Sequence, residues 1–132
     1  MIIQNVDTRE EKIMPAHGGK GTIRMKFFHQ EYQRFRDAPD LGIPSPTYST
    51  ANWNFFAYSE LPVGSTIGLH KHIDNDEIYY ILEGSADMSV DEDTRTIKKG
   101  DVILTLHGSQ HSIQNVTADL KFIATEILID SQ

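Results

Sequence analysis

The sequence contains no cysteine. This absence excludes disulfide bonds, thiolate metal sites and a cysteine nucleophile, so any metal ion must be held by nitrogen and oxygen ligands. A chain without disulfides suits a reducing compartment, and we expect a cytoplasmic protein.

Basic residues and long apolar runs are also scarce. The chain has 12 Lys and Arg against 19 Asp and Glu, which gives a formal net charge of −7. Such a surface repels phosphate backbones and no basic stripe interrupts it, so nucleic acid is not expected as a partner. The amino terminus reaches a charged residue by Asp7, so we expect neither a signal peptide nor a membrane anchor.

The length of 132 residues is typical of one structural domain. From Trp53 onward, short β-rich runs alternate with turn residues, which is typical of a sandwich or barrel. We predict strands at Trp53–Glu60, Thr66–His72, Ile78–Leu82, Ser85–Val90, Arg95–Ile97, Val102–Leu106, Ser112–Val116 and Leu120–Leu128, with breaks at Gly84 and at Ala118-Asp119.

Residues 1–50 are expected to form an irregular arm that packs on a barrel of residues 51–132. Within this arm, Thr22–Phe28 is a candidate strand and Glu31–Asp37 a candidate short helix.

The stretch HKHIDNDEIYYILEG, residues 70–84, carries the clearest chemical pattern. His70 and His72 share one face of a strand, because side chains alternate between faces. They are either ordinary polar residues on a solvated face or a pair that converges on an ion. If the chain reverses after them, Glu77 can face the pair and supply an anionic oxygen. His111 offers a further nitrogen, but no local rule brings it close.

Nine of the ten fixed positions of two known motifs occur in this chain. Gly64, His70, His72, Glu77 and Gly84 fit Gx5HxHx4Ex6G, and Gly100, Gly108, His111 and Asn115 fit Gx5PxGx2Hx3N with Leu106 in place of proline. In these motifs the chain resembles the cupin superfamily, and the segment HGGKG at residues 17–21 is similar to the amino-terminal part of small single-domain cupins. The resemblance implies a single jelly-roll β-barrel with His70, His72, Glu77 and His111 as metal ligands.

The residues that line such a barrel have two interpretations. Trp53, Phe55, Tyr79 and Met88 are candidates for substrate binding, and core packing is an equal alternative for each. Tyr58 and Tyr79 are poor general bases, because the pKa of tyrosine is near about 10. The catalytic residue is therefore unknown, and His107 is either a proton relay or a solvated loop residue.

A site of three imidazoles and one carboxylate would suit one divalent transition metal, which could be Mn, Fe, Ni, Zn or Cu. Its remaining positive charge favours a small, oxygen-rich anionic substrate. We expect an enzyme of non-redox chemistry, such as isomerisation, dehydration, cyclisation or decarboxylation. The alternatives are an iron-dependent dioxygenase and a cupin that binds a small ligand without turnover. Metal affinity is expected to fall below about pH 6.5, where ordinary histidines become protonated.

A homodimer is expected from the outer faces of the strands. Ile67 and Leu69 lie opposite the two histidines, and Ile78, Tyr80 and Leu82 lie opposite Glu77, so both faces carry apolar residues. A partner subunit would cover the outer apolar face.

Overall fold

The structure, a computed structural model, describes residues 3–28 and 53–129. Every helix or strand within these two ranges is a β-strand, as the all-β prediction requires. No helix in the same ranges is long and apolar enough to cross a membrane. The predicted helix at Glu31–Asp37 lies outside the described residues.

One antiparallel sheet contains all the described strands, in the order β1-β2-β3-β8-β5-β6, with β4 paired to β8 and β7 paired to β5. The long strands β5 and β8 pair with each other and also bind the short strands, which closes the sheet around one interior, as in the predicted jelly roll. The strands are β1 (Lys12–Pro15), β2 (Thr22–Phe28), β3 (Trp53–Leu61), β4 (Ile67–Lys71), β5 (Asn75–Val90), β6 (Asp93–Lys98), β7 (Val102–Thr105) and β8 (Gln110–Leu128).

Two predicted breaks do not end a strand. β5 continues through Gly84 and β8 continues through Ala118-Asp119. The pairing of β5 with β8 shifts register around Gly84, whose φ is 91°. A Cβ at this position would collide with the carbonyl oxygen of Asp119. The glycine therefore marks a close approach of two paired strands rather than a turn.

The described part of the amino-terminal arm is more regular than expected. The predicted strand at Thr22–Phe28 is confirmed, and it pairs with β3. Lys12–Pro15 adds an edge strand that the sequence did not predict. Proline at the end of an edge strand is tolerated because no partner needs its missing N–H.

The interior is apolar over most of its length and polar at one end. Its apolar part comes mainly from β2, β3, β5 and β8, where inward positions hold residues such as Phe27, Phe55, Ile81, Leu120 and Phe122. The buried polar side chains include a group made up of His72, Asn75, Glu77, Thr105 and His111. Such a group must be hydrogen-bonded or bound to an ion, because burying unpaired polar atoms is costly.

Ile67 is also buried, which corrects its predicted outward position. The register of β4 with β8 shifts between Ile67 and His70, so Ile67 and the histidines both face inward. Leu69 remains on the outer face, as expected.

Candidate metal centre

Three strands bring the buried polar residues together. His70 lies on β4 directly opposite His111 on β8. His72 follows β4 and is fixed by two backbone hydrogen bonds, from its N–H to Ser109 and from the N–H of Gly108 to its carbonyl oxygen, at 2.9 and 2.6 Å. The chain then reverses into β5, which places Glu77 in the same interior. The predicted reversal is therefore observed, but the expected direct pairing is wrong, because β4 and β5 do not pair with each other and both pair with β8.

Four ligand-type atoms converge at this end of the barrel. The Nε2 atom of His111 lies 2.9 Å from that of His72 and 3.1 Å from that of His70. Oε1 of Glu77 lies 3.4 Å from His72 Nε2 and 3.3 Å from His111 Nε2. One atom from each residue lies within 4.8 Å of all the others, and the group could hold a metal ion.

In each of the three histidine rings the other nitrogen, Nδ1, forms a hydrogen bond with an oxygen atom. His70 Nδ1 donates to the carbonyl oxygen of Gly68 at 2.8 Å, and His72 Nδ1 donates to Asn75 Oδ1 at 2.6 Å. His111 Nδ1 lies 2.8 Å from the hydroxyl of Thr105. A neutral imidazole that donates through Nδ1 keeps its Nε2 lone pair free, so these partners aim the three lone pairs at one point.

Burial keeps these imidazoles neutral. It lowers the pKa of His70 to about 4 and that of His111 to about 2, and it also lowers the pKa of His72. The loss of metal affinity that the sequence places below about pH 6.5 is therefore expected at lower pH in the folded protein, because the buried imidazoles take up protons less readily than free histidine.

Glu77 shows the opposite response to burial. Its side chain is almost fully buried, and desolvation raises its pKa, as does the nearby carboxylate of Glu126. Glu126 lies opposite Glu77 in the register of β5 with β8. Both carboxyl groups line a cavity at this site. Among the described residues of its lining, the only Lys or Arg is Lys71, which is exposed. Two neighbouring carboxyl groups, of which Glu77 is buried, therefore need either a proton or a cation to balance their charge.

The residues fit a divalent cation. Ligand atoms held at about 2.1 Å from an ion lie about 3.0 Å apart at right angles and about 3.4 Å apart in a tetrahedron. The four separations given above, 2.9–3.4 Å, agree with such edges. Oε1 of Glu77 accepts no hydrogen bond from the described residues although it is buried. A cation among these atoms would satisfy this oxygen and relieve the repulsion between the converging lone pairs.

A loop before β2 covers His70 from one side. The ring of His17 stacks on that of His70, with centroids 3.7 Å apart and planes 10° apart. The loop is attached through the hydrogen bond from the N–H of Gly68 to Ala16, at 2.9 Å. A Cβ at Gly68 would collide with the carbonyl oxygen of His17, so this glycine permits the contact.

His70, His72 and Glu77 line a cavity of about 550 Å³, and His111 is buried beside the two histidines. Of the predicted substrate-binding residues, Phe55 and Tyr79 line this cavity. Trp53 and Met88 do not line it. Trp53 is 40% exposed and donates to the hydroxyl of Thr125, while Met88 is buried on the part of β5 that pairs with β6.

His107 lies outside the cavity lining. Its backbone N–H donates to Oδ1 of Asp76, and its Nδ1 lies 2.8 Å from the same oxygen. This histidine therefore holds the turn before β8 against the start of β5.

Sequence reasoning missed several residues of this site. Glu126 had a detectable signal, because it is a charged residue in the inward series Leu120, Phe122, Ala124, Glu126 and Leu128. His17, Asn75 and Thr105 had no such signal, since their positions depend on how loops and neighbouring strands meet.

Comparisons with known proteins agree with this architecture. A family model described as a cupin domain matches residues 57–126. An oxalate-binding protein of Thermotoga maritima is 34% identical over 130 residues, which cover 98% of this chain and 95% of that protein.

Solved structures give the same result. A crystal structure of a predicted oxalate decarboxylase from Thermotoga maritima has a TM-score of 0.76 and 31% identity, and the match covers 97% of this chain and all of that one. KdgF from Halomonas has a TM-score of 0.67 at 13% identity, with 96% and 93% of the chains covered, and so supports the fold alone.

Proposed function

The chain belongs to the cupin family, and on this premise we propose that it is a metal-dependent enzyme that binds a small carboxylate anion and acts on it by non-redox chemistry. The observation that carries the proposal is the convergence of three histidine Nε2 atoms and one glutamate oxygen beside a cavity that His70, His72 and Glu77 line. His70, His72, Glu77 and His111 would be the ligands of the ion.

The charge of this set favours an anionic ligand. Three neutral imidazoles and one carboxylate would leave a divalent cation with a net positive charge, and the cation would supply Lewis acidity to a bound carboxylate. Imidazole nitrogen suits Fe, Ni, Cu and Zn, and the carboxylate also admits Mn, so the ligand set does not select one metal. The names of the two Thermotoga maritima relatives make oxalate the first anion to test.

Glu126 is the residue best placed to hold or transfer a proton. It lines the cavity and lies beside Glu77 across the strand pair. Decarboxylation leaves a carbon that must take up a proton, and isomerisation requires a proton to be removed and returned. A carboxyl group that lines the cavity can serve either purpose, because Glu can act as a general acid or a general base.

Binding without turnover is a second candidate. The relative that covers almost the whole chain is named for binding oxalate rather than for converting it. In that case Glu126 would serve only to balance charge in the interior.

Both candidates can be tested on the purified protein. Metal content is measured first, and oxalate is then titrated into metal-loaded and chelator-stripped protein by calorimetry. We expect binding only to the loaded form. Product release is then followed under anaerobic conditions for the unmodified protein, for Glu126→Gln and for Glu83→Gln. Glu83 is exposed and pairs with Lys121, so its variant is a matched control.

Each outcome selects one interpretation. Anaerobic turnover that is lost in Glu126→Gln and kept in Glu83→Gln supports the enzyme. Oxalate binding with no turnover supports the binding protein. Turnover that requires O2 would instead indicate a dioxygenase. Equal oxalate affinity with and without metal would contradict the proposal.

A further inference from the structure

The cavity extends well beyond the four histidine and glutamate side chains. Its volume of about 550 Å³ lies in the range of roughly 300–1,000 Å³ that holds a drug-sized ligand. Oxalate consists of two directly linked carboxylates and would occupy only the end of this space. The remainder is available to a larger molecule.

The wall of the remaining space is mostly apolar. Met14, Ile23, Met25, Phe27, Phe55 and Phe122 line it, and they come from β1, β2, β3 and β8. Such a wall offers no partners for ordered water, so an apolar group is its natural occupant. The two methionines have flexible side chains that adapt to the shape of a bound group.

One polar atom interrupts this wall. Asn54 lines the cavity and is 3% exposed, and its Oδ1 accepts no hydrogen bond within the described ranges. The register of β3 with β8 shifts between Trp53 and Phe55, so that Asn54 and Phe55 are both buried although they are adjacent. Bulges often redirect a side chain beside a binding site. The Asn54 oxygen is thus a buried acceptor that a ligand hydroxyl or amine can satisfy.

Charge restricts the ligand further. Lys71 is exposed, and it is the only Lys or Arg that the structure describes along this cavity. A second anionic group, far from the metal end, would therefore be buried without a cation, which is unfavourable. The ligand should carry its negative charge at one end only.

We propose that the natural ligand is a monocarboxylic 2-oxo or 2-hydroxy acid whose charged end binds at His70, His72, Glu77 and His111, whose apolar body lies on the Phe55 wall, and whose distal hydroxyl or amine donates to Asn54. This inference rests on the proposed function, because it takes the four residues to hold a metal ion that binds the charged end.

The test compares the affinities of metal-loaded protein for oxalate, pyruvate, 2-oxoglutarate, phenylpyruvate and 4-hydroxyphenylpyruvate, measured by calorimetry. We expect phenylpyruvate to bind at least about tenfold more tightly than pyruvate, because its ring is buried on the apolar wall. The hydroxylated analogue should gain roughly a further fivefold to tenfold from the Asn54 hydrogen bond. 2-Oxoglutarate should bind no more tightly than pyruvate.

Two variants test the role of Asn54. In Asn54→Ala the hydroxylated and unhydroxylated analogues should bind with nearly equal affinity, while metal content and oxalate affinity stay unchanged. Trp53→Phe is the matched control, because the neighbouring Trp53 lies off the cavity lining and its variant should keep the preference. If Asn54→Ala still bound the hydroxylated analogue more tightly than the unhydroxylated one, the assignment of Asn54 as the acceptor of the ligand hydroxyl would be overturned.

The ligand series needs no variant and separates the two proposals. Equal affinity for pyruvate and both aromatic acids, together with tight oxalate binding, would overturn the inference and leave the proposed function intact. Failure of every anion to bind the metal-loaded protein would overturn both.

Discussion

Replacing Thr105 by valine should weaken metal binding although it removes no proposed ligand. The Thr105 hydroxyl lies 2.8 Å from His111 Nδ1, and the residue is 1% exposed. Valine has nearly the same shape but cannot accept a hydrogen bond. The Nδ1–H of His111 would then be buried without a partner, or the proton would move to Nε2, where it blocks the lone pair that faces the ion.

The expected loss of metal affinity follows from the loss of this hydrogen bond. Loss of a partner that orients a metal-ligating histidine typically costs about 10–100-fold in metal affinity, which is about 1.4–2.8 kcal/mol. The metal-free protein should also lose about 1–3 kcal/mol of unfolding free energy, because a buried donor is left unsatisfied.

The assay is a competition titration of the metal against a chromophoric chelator. Thr96→Val is the matched control, since Thr96 also donates a side-chain hydrogen bond, to Asp87, but lies on the exposed strand β6. We expect the control to bind metal like the unmodified protein. If Thr105→Val did so as well, the argument that Thr105 orients His111 would be refuted.

Three further predictions concern pH, the covering loop and assembly. Burial lowers the pKa of His70 to about 4 and also lowers those of His72 and His111, so these three groups bind more protons in the unfolded state between about pH 6.5 and 4. The raised pKa of Glu77 acts in the opposite direction but belongs to a single group, so the melting temperature of the metal-free protein should fall as pH drops through this window; a constant melting temperature from about pH 7 to 5 would contradict this. Gly68→Ala should displace the His17 loop and lower the unfolding free energy by about 1–3 kcal/mol in a denaturant titration, and unchanged stability would argue against the close contact. Val102 and Leu104 are exposed and lie opposite Tyr80 and Ile78 of the predicted dimer face. Light scattering should therefore give the mass of a dimer, and Leu104→Asp should give a monomer; a monomeric unmodified protein would contradict the predicted dimer.

The sequence predicts the fold class and most strand positions because both depend on local patterns. Alternating apolar residues and turn residues located every strand from β3 onward, although they split β5 and β8. The histidine pair illustrates a reliable rule, since i and i+2 residues in a strand share a face. The assignment of His111 as a metal ligand came from the resemblance to a family and not from any local pattern.

Features that depend on contacts between distant segments could not be predicted. The bulges beside Ile67 and Asn54 change which residues face inward, and nothing in the local sequence marks them. The position of His17 against His70 requires a loop to approach β4 closely. Glu126 is the exception, because a charged residue in an inward apolar series is visible in the sequence and points to the cavity.

The most direct test of the metal centre is elemental analysis of the protein purified without added metal, beside His111→Ala purified in the same way. We expect close to one divalent ion per chain in the unmodified protein, as for one set of four ligands, and nearly complete loss in His111→Ala while circular dichroism shows the fold retained. Equal metal content in the two proteins would contradict a metal centre at these four residues.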